Sequence, residues 1–311
     1  MNEIVETALS LWGLTGAHYH LVAARENAVY EITTDTQKFA LRLHRKGYRT
    51  DAELRSELTW MNTVAQGGIV VPKPIASRSC DFLHTVDGVQ VDVLTWLTGS
   101  PIGATGKTLN VPDRGRLFHQ IGQALARLHD VSDIWTPPTG FTRCAWDRDG
   151  LMGDDPLWGR FWENPSLSAK DHMLFTSFRQ SADAALAKAE NQLDYGLIHA
   201  DLVRENMLQD GDKIQLIDFD DGGFGFRLFD IATALLKNLD EPDFPDLKAS
   251  LLKGYTSVRP IDVHLLDLFM ALRSATYVGW IITRMDENGS HQRNIRFIKT
   301  TRRLVENYMA G

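Results

Sequence analysis

Residues 196–223 read GLIHADLVRENMLQDGDKIQLIDFDDGG. Two apolar runs, Gly196–Ile198 and Ile214–Ile217, each stop abruptly at a polar cluster. His199, Asp201, Arg204, Glu205 and Asn206 follow the first; Asp218, Asp220 and Asp221 follow the second. Short apolar runs bounded by turn formers read as buried strands. One Asp or Asn at such an end is ordinary turn chemistry, but this many carboxylates together call for another reason. Between the clusters lie the turn Asp210-Gly211-Asp212 and the strand Lys213–Ile217. A hairpin there returns Asp218, twelve positions after Asn206, to the mouth of the same cleft.

The types and spacing of these residues suit one kind of chemistry. An aspartate just after a strand, here Asp201, can accept the proton of an attacking hydroxyl. An asparagine five residues later, Asn206, can turn back and offer a neutral oxygen to Mg²⁺, a hard cation that prefers oxygen ligands. Asp218 is then the natural second metal ligand. His199 reads as a residue that packs and hydrogen-bonds to hold the loop.

The rest of the chain supplies a scaffold of two parts. Residues 2–12 are expected to form a short helix. The runs Tyr19–Ala24, Ala28–Thr33 and Lys38–His44 form an antiparallel meander, its first turn at Arg25-Glu26-Asn27. Residues 51–66 carry Leu54, Leu58, Met61 and Val64 at helical spacing. Two strands near 80–86 and 89–97 join at Asp87-Gly88. Beyond Gly99-Ser100-Pro101 the pattern changes. An amphipathic helix at Leu117–His129 precedes an irregular region rich in Trp, Pro and Gly at 136–168. Helix returns at 170–190, and from 226 the pattern is mostly helical. The expected division is 1–97 and 98–311, with a hinge near Thr95–Gly99.

Composition excludes several classes. A net charge of −7 over 311 residues, with Lys and Arg scattered, argues against a nucleic-acid binder. No apolar run approaches the ~20 residues of a membrane helix. The N-terminus lacks a basic segment leading into an apolar stretch, so no signal peptide is expected. Cys80 and Cys144 read as cytosolic thiols.

HADLVREN fits the catalytic-loop pattern H-R-D-x-x-x-x-N, with Ala200 in the second place. The segment HADLVRENMLQDGDKIQLIDFDDGGFGFRLFDIA resembles the superfamily of aminoglycoside phosphotransferases, choline kinases and bacterial homoserine kinases, over nearly the whole chain. FALRLHRKGYRT, SELTWM and IDFDDGGFGFRLFD are most similar to its homoserine-kinase-like and stress-response-kinase-like branch. The resemblance implies an α+β, protein-kinase-like fold of two lobes. The small lobe, residues 1–97, is an antiparallel sheet with one inserted helix and binds nucleotide; the larger, mostly helical lobe, 98–311, carries catalysis and substrate. It also implies a cation on the third strand to grip phosphates. FALR puts Arg42 where the commonest pattern has lysine, with Glu57 as its helix partner and Glu53 as the alternative. No G-x-G-x-x-G loop is present, and Asn27 in AARENAVYE is the candidate for that duty. GATGKT at 103–108 mimics a Walker loop, but its first glycine would fall on Pro101.

By the same resemblance, Asp230 in LFDIATALL caps its helix and anchors the catalytic loop. Trp96 and Leu97 border an adenine. Asp220 and Asp221 are candidates for contact with substrate, and Trp146, Trp158 and Trp162 for a substrate wall. The implied activity is transfer of the γ-phosphate of ATP, with Mg²⁺, to the hydroxyl of a small amino alcohol such as homoserine, or of an amino sugar. An acidic cleft would suit such acceptors. The alternatives are a serine/threonine protein kinase and a nucleotide-binding pseudokinase. The setting implied is cytoplasmic, without nucleic-acid or membrane partners, with a homodimer possible.

Overall fold

The structure, a computed structural model, describes residues 2–24 and 27–310. Arg25 and Glu26 of the first expected turn lie outside the described residues. Helix α1 (Asn2–Leu11) buries Val5, Ala8 and Leu9. Strands β1 (His18–Ala24), β2 (Ala28–Thr33) and β3 (Lys38–Leu43) follow. Helix α2 (Asp51–Gln66) begins at a capping box: Glu53 N–H donates to the Thr50 hydroxyl, and Thr50 N–H donates to the Glu53 carboxylate. Next come β4 (Leu83–Val86), β5 (Val89–Thr95), β6 (Ser100–Pro101), α3 (Arg114–Ile134), β7 (Ala145–Trp146), α4 (Arg148–Met152) and α5 (Ala169–Ala189). The segment quoted above supplies β8 (Tyr195–Ile198), β9 (Met207–Asp210), β10 (Lys213–Leu216) and β11 (Gly223–Phe226). The chain ends in α6 (Arg227–Leu236), α7 (Phe244–Thr256), α8 (Leu266–Trp280) and α9 (Ser290–Ala310). Among the described residues no helix is long and apolar enough to cross a membrane.

The chain packs as two compact units. The first takes the chain up to Pro101, with 131–143 and 207–220. Its main sheet is antiparallel, in the order β1-β2-β3-β5-β4, with a small sheet β10-β9-β6. Alternation along the strands puts Ile32, Leu41, Val91 and Val93 on one face, where they pack with Val5 and Ala8 of α1 in a dry core. The second unit comprises 102–130, 144–206 and the chain from Asp221 onward. Its sheet, β7-β11-β8, pairs β11 parallel to β7 and antiparallel to β8. Helix α8 is buried along nearly its whole length. The architecture is α+β, as the sequence predicts.

The structure differs from the sequence reading at particular elements. The two apolar runs of the opening segment lie in different sheets, β8 beside β11 and β10 beside β9. Strand β11 is the partner the reading lacks, because its sequence GFGF has poor strand propensity. Its glycines have a packing reason: a Cβ on Gly223 would stand 2.3 Å from the Cys144 carbonyl oxygen. The strand expected at 80–86 begins only at Leu83, after a turn with Cys80 at φ 63°. The irregular stretch 136–168 contains β7 and α4.

These close approaches separate two kinds of glycine. Gly223→Ala is expected to destabilise the protein by roughly 1–3 kcal/mol, the usual cost of overpacking. Gly211 sits in the β9–β10 turn at φ 57° with nothing within 4 Å of its missing Cβ. Asparagine tolerates that conformation, so Gly211→Asn should cost about 0.5 kcal/mol or less. Urea midpoints of the two variants check the contrast; equal losses would contradict it.

Candidate active site

The first unit builds a buried charge network from strand register. Arg42 on β3 faces Asp92 on β5 directly across the ladder. Its Nε and Nη2 donate to the two oxygens of Asp92, each at 2.9 Å, and its Nη1 donates to Glu57 of α2 at 2.8 Å. Glu53 serves the capping box instead, so Glu57 is the helix partner of Arg42. Arg143 reaches the other Glu57 oxygen at 3.4 Å and donates to the carbonyls of Phe219 and Asp220. His44 Nε2 lies 2.6 Å from Asp92. Burial alone would raise the Asp92 carboxyl, yet Arg42 and His44 hold it down at about 2. The Glu57 carboxyl is likewise held below its usual range, against burial, by Arg42 and Arg143.

In the second unit, the chain leaves β8 into a loop pinned by one carboxylate. Asp230, fully buried in α6, accepts the backbone N–H of His199 at 2.9 Å and of Ala200 at 2.6 Å. His129 Nε2 lies 3.0 Å from the same carboxylate, with Tyr255 hydroxyl at its Nδ1. Burial opposes the charge on Asp230, but His129 and the His199 amide keep its carboxyl below the ordinary value. One expectation is corrected: Asp230 is the fourth residue of α6 and does not cap it; the N-cap position is Phe226, without a side-chain bond. Ala200 has φ 64°, in the left-handed region, and this turn aims the next residue, Asp201.

Asp201 is fixed on both oxygens. Arg273 of α8 donates to Oδ1 at 2.8 Å, and Asn206 Nδ2 donates to Oδ2 at 3.0 Å and to the Asp201 carbonyl at 2.9 Å. The side chain keeps 23% exposure. Desolvation by the surrounding protein, opposed by Arg273 and reinforced by Asp221, pushes its pKa up to about 7. Asp201 N–H donates to His199 Nδ1 at 3.4 Å. Arg204 locks the far side of the loop, donating to Asn238, Glu241 and the Lys107 carbonyl. The segment 103–108 is loop, tied down by Glu205 bonds to Thr105.

Other predicted residues are placed as follows. Asp218 follows β10 by two residues at φ 68°. Asp220 lies in the first unit beside Arg49, whose Nη2 donates to its carbonyl at 2.9 Å. Asp221 lies in the second, where its carbonyl accepts the Trp146 indole N–H at 2.8 Å. Trp96, Leu97 and Asn27 are half-buried in the first unit. Trp146 is core, stacked on Phe229, and Trp162 is buried under Arg179; Trp158 packs on the Arg273 guanidinium at 4.5 Å.

A family model, "Phosphotransferase enzyme family", matches residues 20–264. The chain belongs to this family. The homoserine kinase of Gluconobacter oxydans is 28% identical over 91% of this chain and 87% of its own. Among solved structures, a microcompartment-associated aminopropanol kinase shares 28% identity and a TM-score of 0.86, covering 100% of this chain and 98% of that one. The amicoumacin kinase hAmiN, solved with AMP-PNP, Ca²⁺ and Ami, has a TM-score of 0.76 at 20% identity, covering 96% and 92%. The fold is therefore protein-kinase-like, and the protein is a kinase of the phosphotransferase family.

Three charged residues of this family member escape the sequence reading: Asp92, Arg143 and Arg273. One had a visible signal. Asp92 takes a polar place in the alternation of VQVDVLT and so looks like a residue of a solvated face, whereas Arg273 interrupts the apolar helix LFMALRSATYV. A buried charge demands a partner, so Arg273 pointed to one. Asp92 also predicts a pH effect. Its folded carboxyl lies below the unfolded value of ~3.9, so its stabilisation is complete above about pH 4 and is lost as pH falls toward 2. The loss amounts to about 2–3 kcal/mol. Urea unfolding between pH 4 and pH 2 should show a shallower decline for Asp92→Asn than for the wild type; parallel declines would contradict the pairing.

Proposed function

We propose that this kinase transfers the γ-phosphate of ATP to the hydroxyl of a small-molecule alcohol, with Asp201 orienting and deprotonating that hydroxyl. The observation that carries the reading is Asp201 itself, held by Arg273 on one oxygen and Asn206 on the other, on a loop pinned by Asp230. Each carboxylate oxygen retains a lone pair for an O–H donor. A carboxyl near 7 is matched to proton transfer at neutral pH. Phosphoryl transfer otherwise asks for positioning and charge neutralisation more than for covalent help.

The donor set suits Mg²⁺. The Asn206 nitrogen is occupied by Asp201, which turns the amide oxygen the other way. Asp218 adds a carboxylate, and both are hard oxygen donors. These two residues would hold the ion, which supplies charge neutralisation to the phosphates. Arg42 is the proposed phosphate cation, steadied by Glu57 and Asp92. Trp96 and Leu97 would border the adenine, and Asn27 would serve the phosphates. Residues up to 97 would form the nucleotide lobe and 98–311 the catalytic and substrate lobe. The homoserine kinase and aminopropanol kinase relatives support a small alcohol as acceptor. The hAmiN complex supports an ATP-type nucleotide with a divalent ion.

A screen of ATP consumption against amino alcohols, hydroxy amino acids, aminoglycosides and generic protein substrates tests the activity. Turnover with a small alcohol is expected; turnover with protein alone, or with nothing, would contradict it. On the accepted substrate, Asp201→Asn should lower turnover on the order of 10²-fold or more, the scale of a missing general base, with nucleotide affinity kept. Loss of both together would show the role to be misassigned. Asp218→Asn should weaken binding of Mg²⁺-nucleotide and spare metal-free nucleotide, because the lost ligand matters only with the cation present. Calorimetric titrations with and without Mg²⁺ decide it; equal losses in both would remove the metal-ligand role.

A further inference from the structure

Lys237 stands at the C-terminal end of α6, and the reaction proposed above does not use it. The half-buried side chain lies on aromatic faces: its Nζ is 3.8 Å from the Tyr277 ring centroid and 5.4 Å from that of Phe297. Those rings stack at 5.1 Å. The same Tyr277 ring carries the Arg273 guanidinium at 4.4 Å, so two cations share one aromatic wall beside Asp201.

The charges around Lys237 leave it without a matching anion. Burial and Arg273 push its pKa down to about 8, while Asp201 and Glu205 pull upward and Arg296 again downward. Both carboxylates are committed elsewhere. Asp201 is paired with Arg273 at 2.8 Å. Glu205 accepts the Thr105 amide at 2.5 Å and the Thr105 hydroxyl at 3.2 Å. Among the described residues Lys237 makes no ion pair. Among the described residues the Nε of Arg273, buried in the same wall, has no hydrogen-bond partner. A half-buried ammonium beside a second cation is costly unless an anion arrives to match it. An acceptor bringing only an ammonium would add a third positive charge. On this wall two cations, Lys237 and Arg273, stand among the carboxylates of Asp201 and Glu205.

We propose that the acceptor alcohol carries a carboxylate, which Lys237 holds against Tyr277 while the hydroxyl meets Asp201. One uncommitted lysine matches a monoanion. The acceptor is thus a hydroxy acid or hydroxy amino acid, and a plain amino alcohol is disfavoured. This rests on the small-alcohol kinase reading and names its substrate class.

Three alcohols of matched length separate the charges: homoserine, 4-hydroxybutyrate, which lacks the ammonium, and 3-aminopropan-1-ol, which lacks the carboxylate. Calorimetric titration into the nucleotide-loaded protein should show both acids binding more tightly than the amine, by on the order of ten- to a hundredfold, the scale of a charged hydrogen bond. Lys237→Met keeps the apolar stem on the rings and removes the charge; it should abolish that preference while nucleotide still binds. Lys237→Arg should retain it. The proposal is overturned by equal or tighter binding of 3-aminopropan-1-ol, by a preference that survives in Lys237→Met, or by failure of either acid to bind. Failure of the underlying kinase reading looks different: the acids bind with the Lys237-dependent preference, yet ATP is consumed with no alcohol.

Discussion

Two backbone amides on one buried carboxylate set the geometry of the loop that presents Asp201. Asp230 accepts the N–H groups of His199 and Ala200, and it carries its charge in the interior because His129 and those amides surround it. A buried carboxylate is tolerable only with such partners. The bonds hold Ala200 in the left-handed region, a conformation that a non-glycine residue keeps only when its surroundings impose it. That turn sends the Asp201 side chain toward Arg273 and Asn206. Arg204, buried and bonded to Asn238 and Glu241, prevents the far side of the loop from relaxing. One anchor thus fixes a backbone, and the backbone fixes Asp201.

The first unit solves a similar problem by other means. There the strand ladder does the positioning, because antiparallel register places Arg42 opposite Asp92. The guanidinium fork meets the carboxylate on two nitrogens and still reaches Glu57. Lysine has no such fork, which gives Arg42 a physical reason where relatives of this fold commonly use lysine. Arg143 supplies a second guanidinium to Glu57, so two cations and two carboxylates balance inside the unit, with His44 at the edge. A neutral cluster of this kind is far cheaper to bury than any one of its members.

The local code was legible in the sequence and the tertiary pairings were not. HADLVREN and the Asp210-Gly211-Asp212 turn announce themselves because spacing and turn chemistry are local. Asp201 and Asn206 are hydrogen-bonded to each other, and Glu57 meets Arg42. Strand β11 was hidden because its glycines are chosen for close approach to Cys144 and Ile198, a property of neighbours distant in sequence. Lys237 was hidden for a related reason: its meaning depends on which rings pack beside the end of α6. Asp230 was misread as a cap because an acid in a first helical turn usually serves its own helix, whereas this one serves another segment.

The central claim is that Asp230 holds the loop that presents Asp201. Amide hydrogen exchange at His199 and Ala200, measured by NMR on folded wild type and Asp230→Asn, tests it most directly when read beside turnover on the accepted alcohol. The account predicts that both amides lose protection in the variant, that turnover falls on the order of 10²-fold, the scale of a displaced base, and that nucleotide affinity stays within about twofold. Unchanged protection at both amides with full turnover would contradict it.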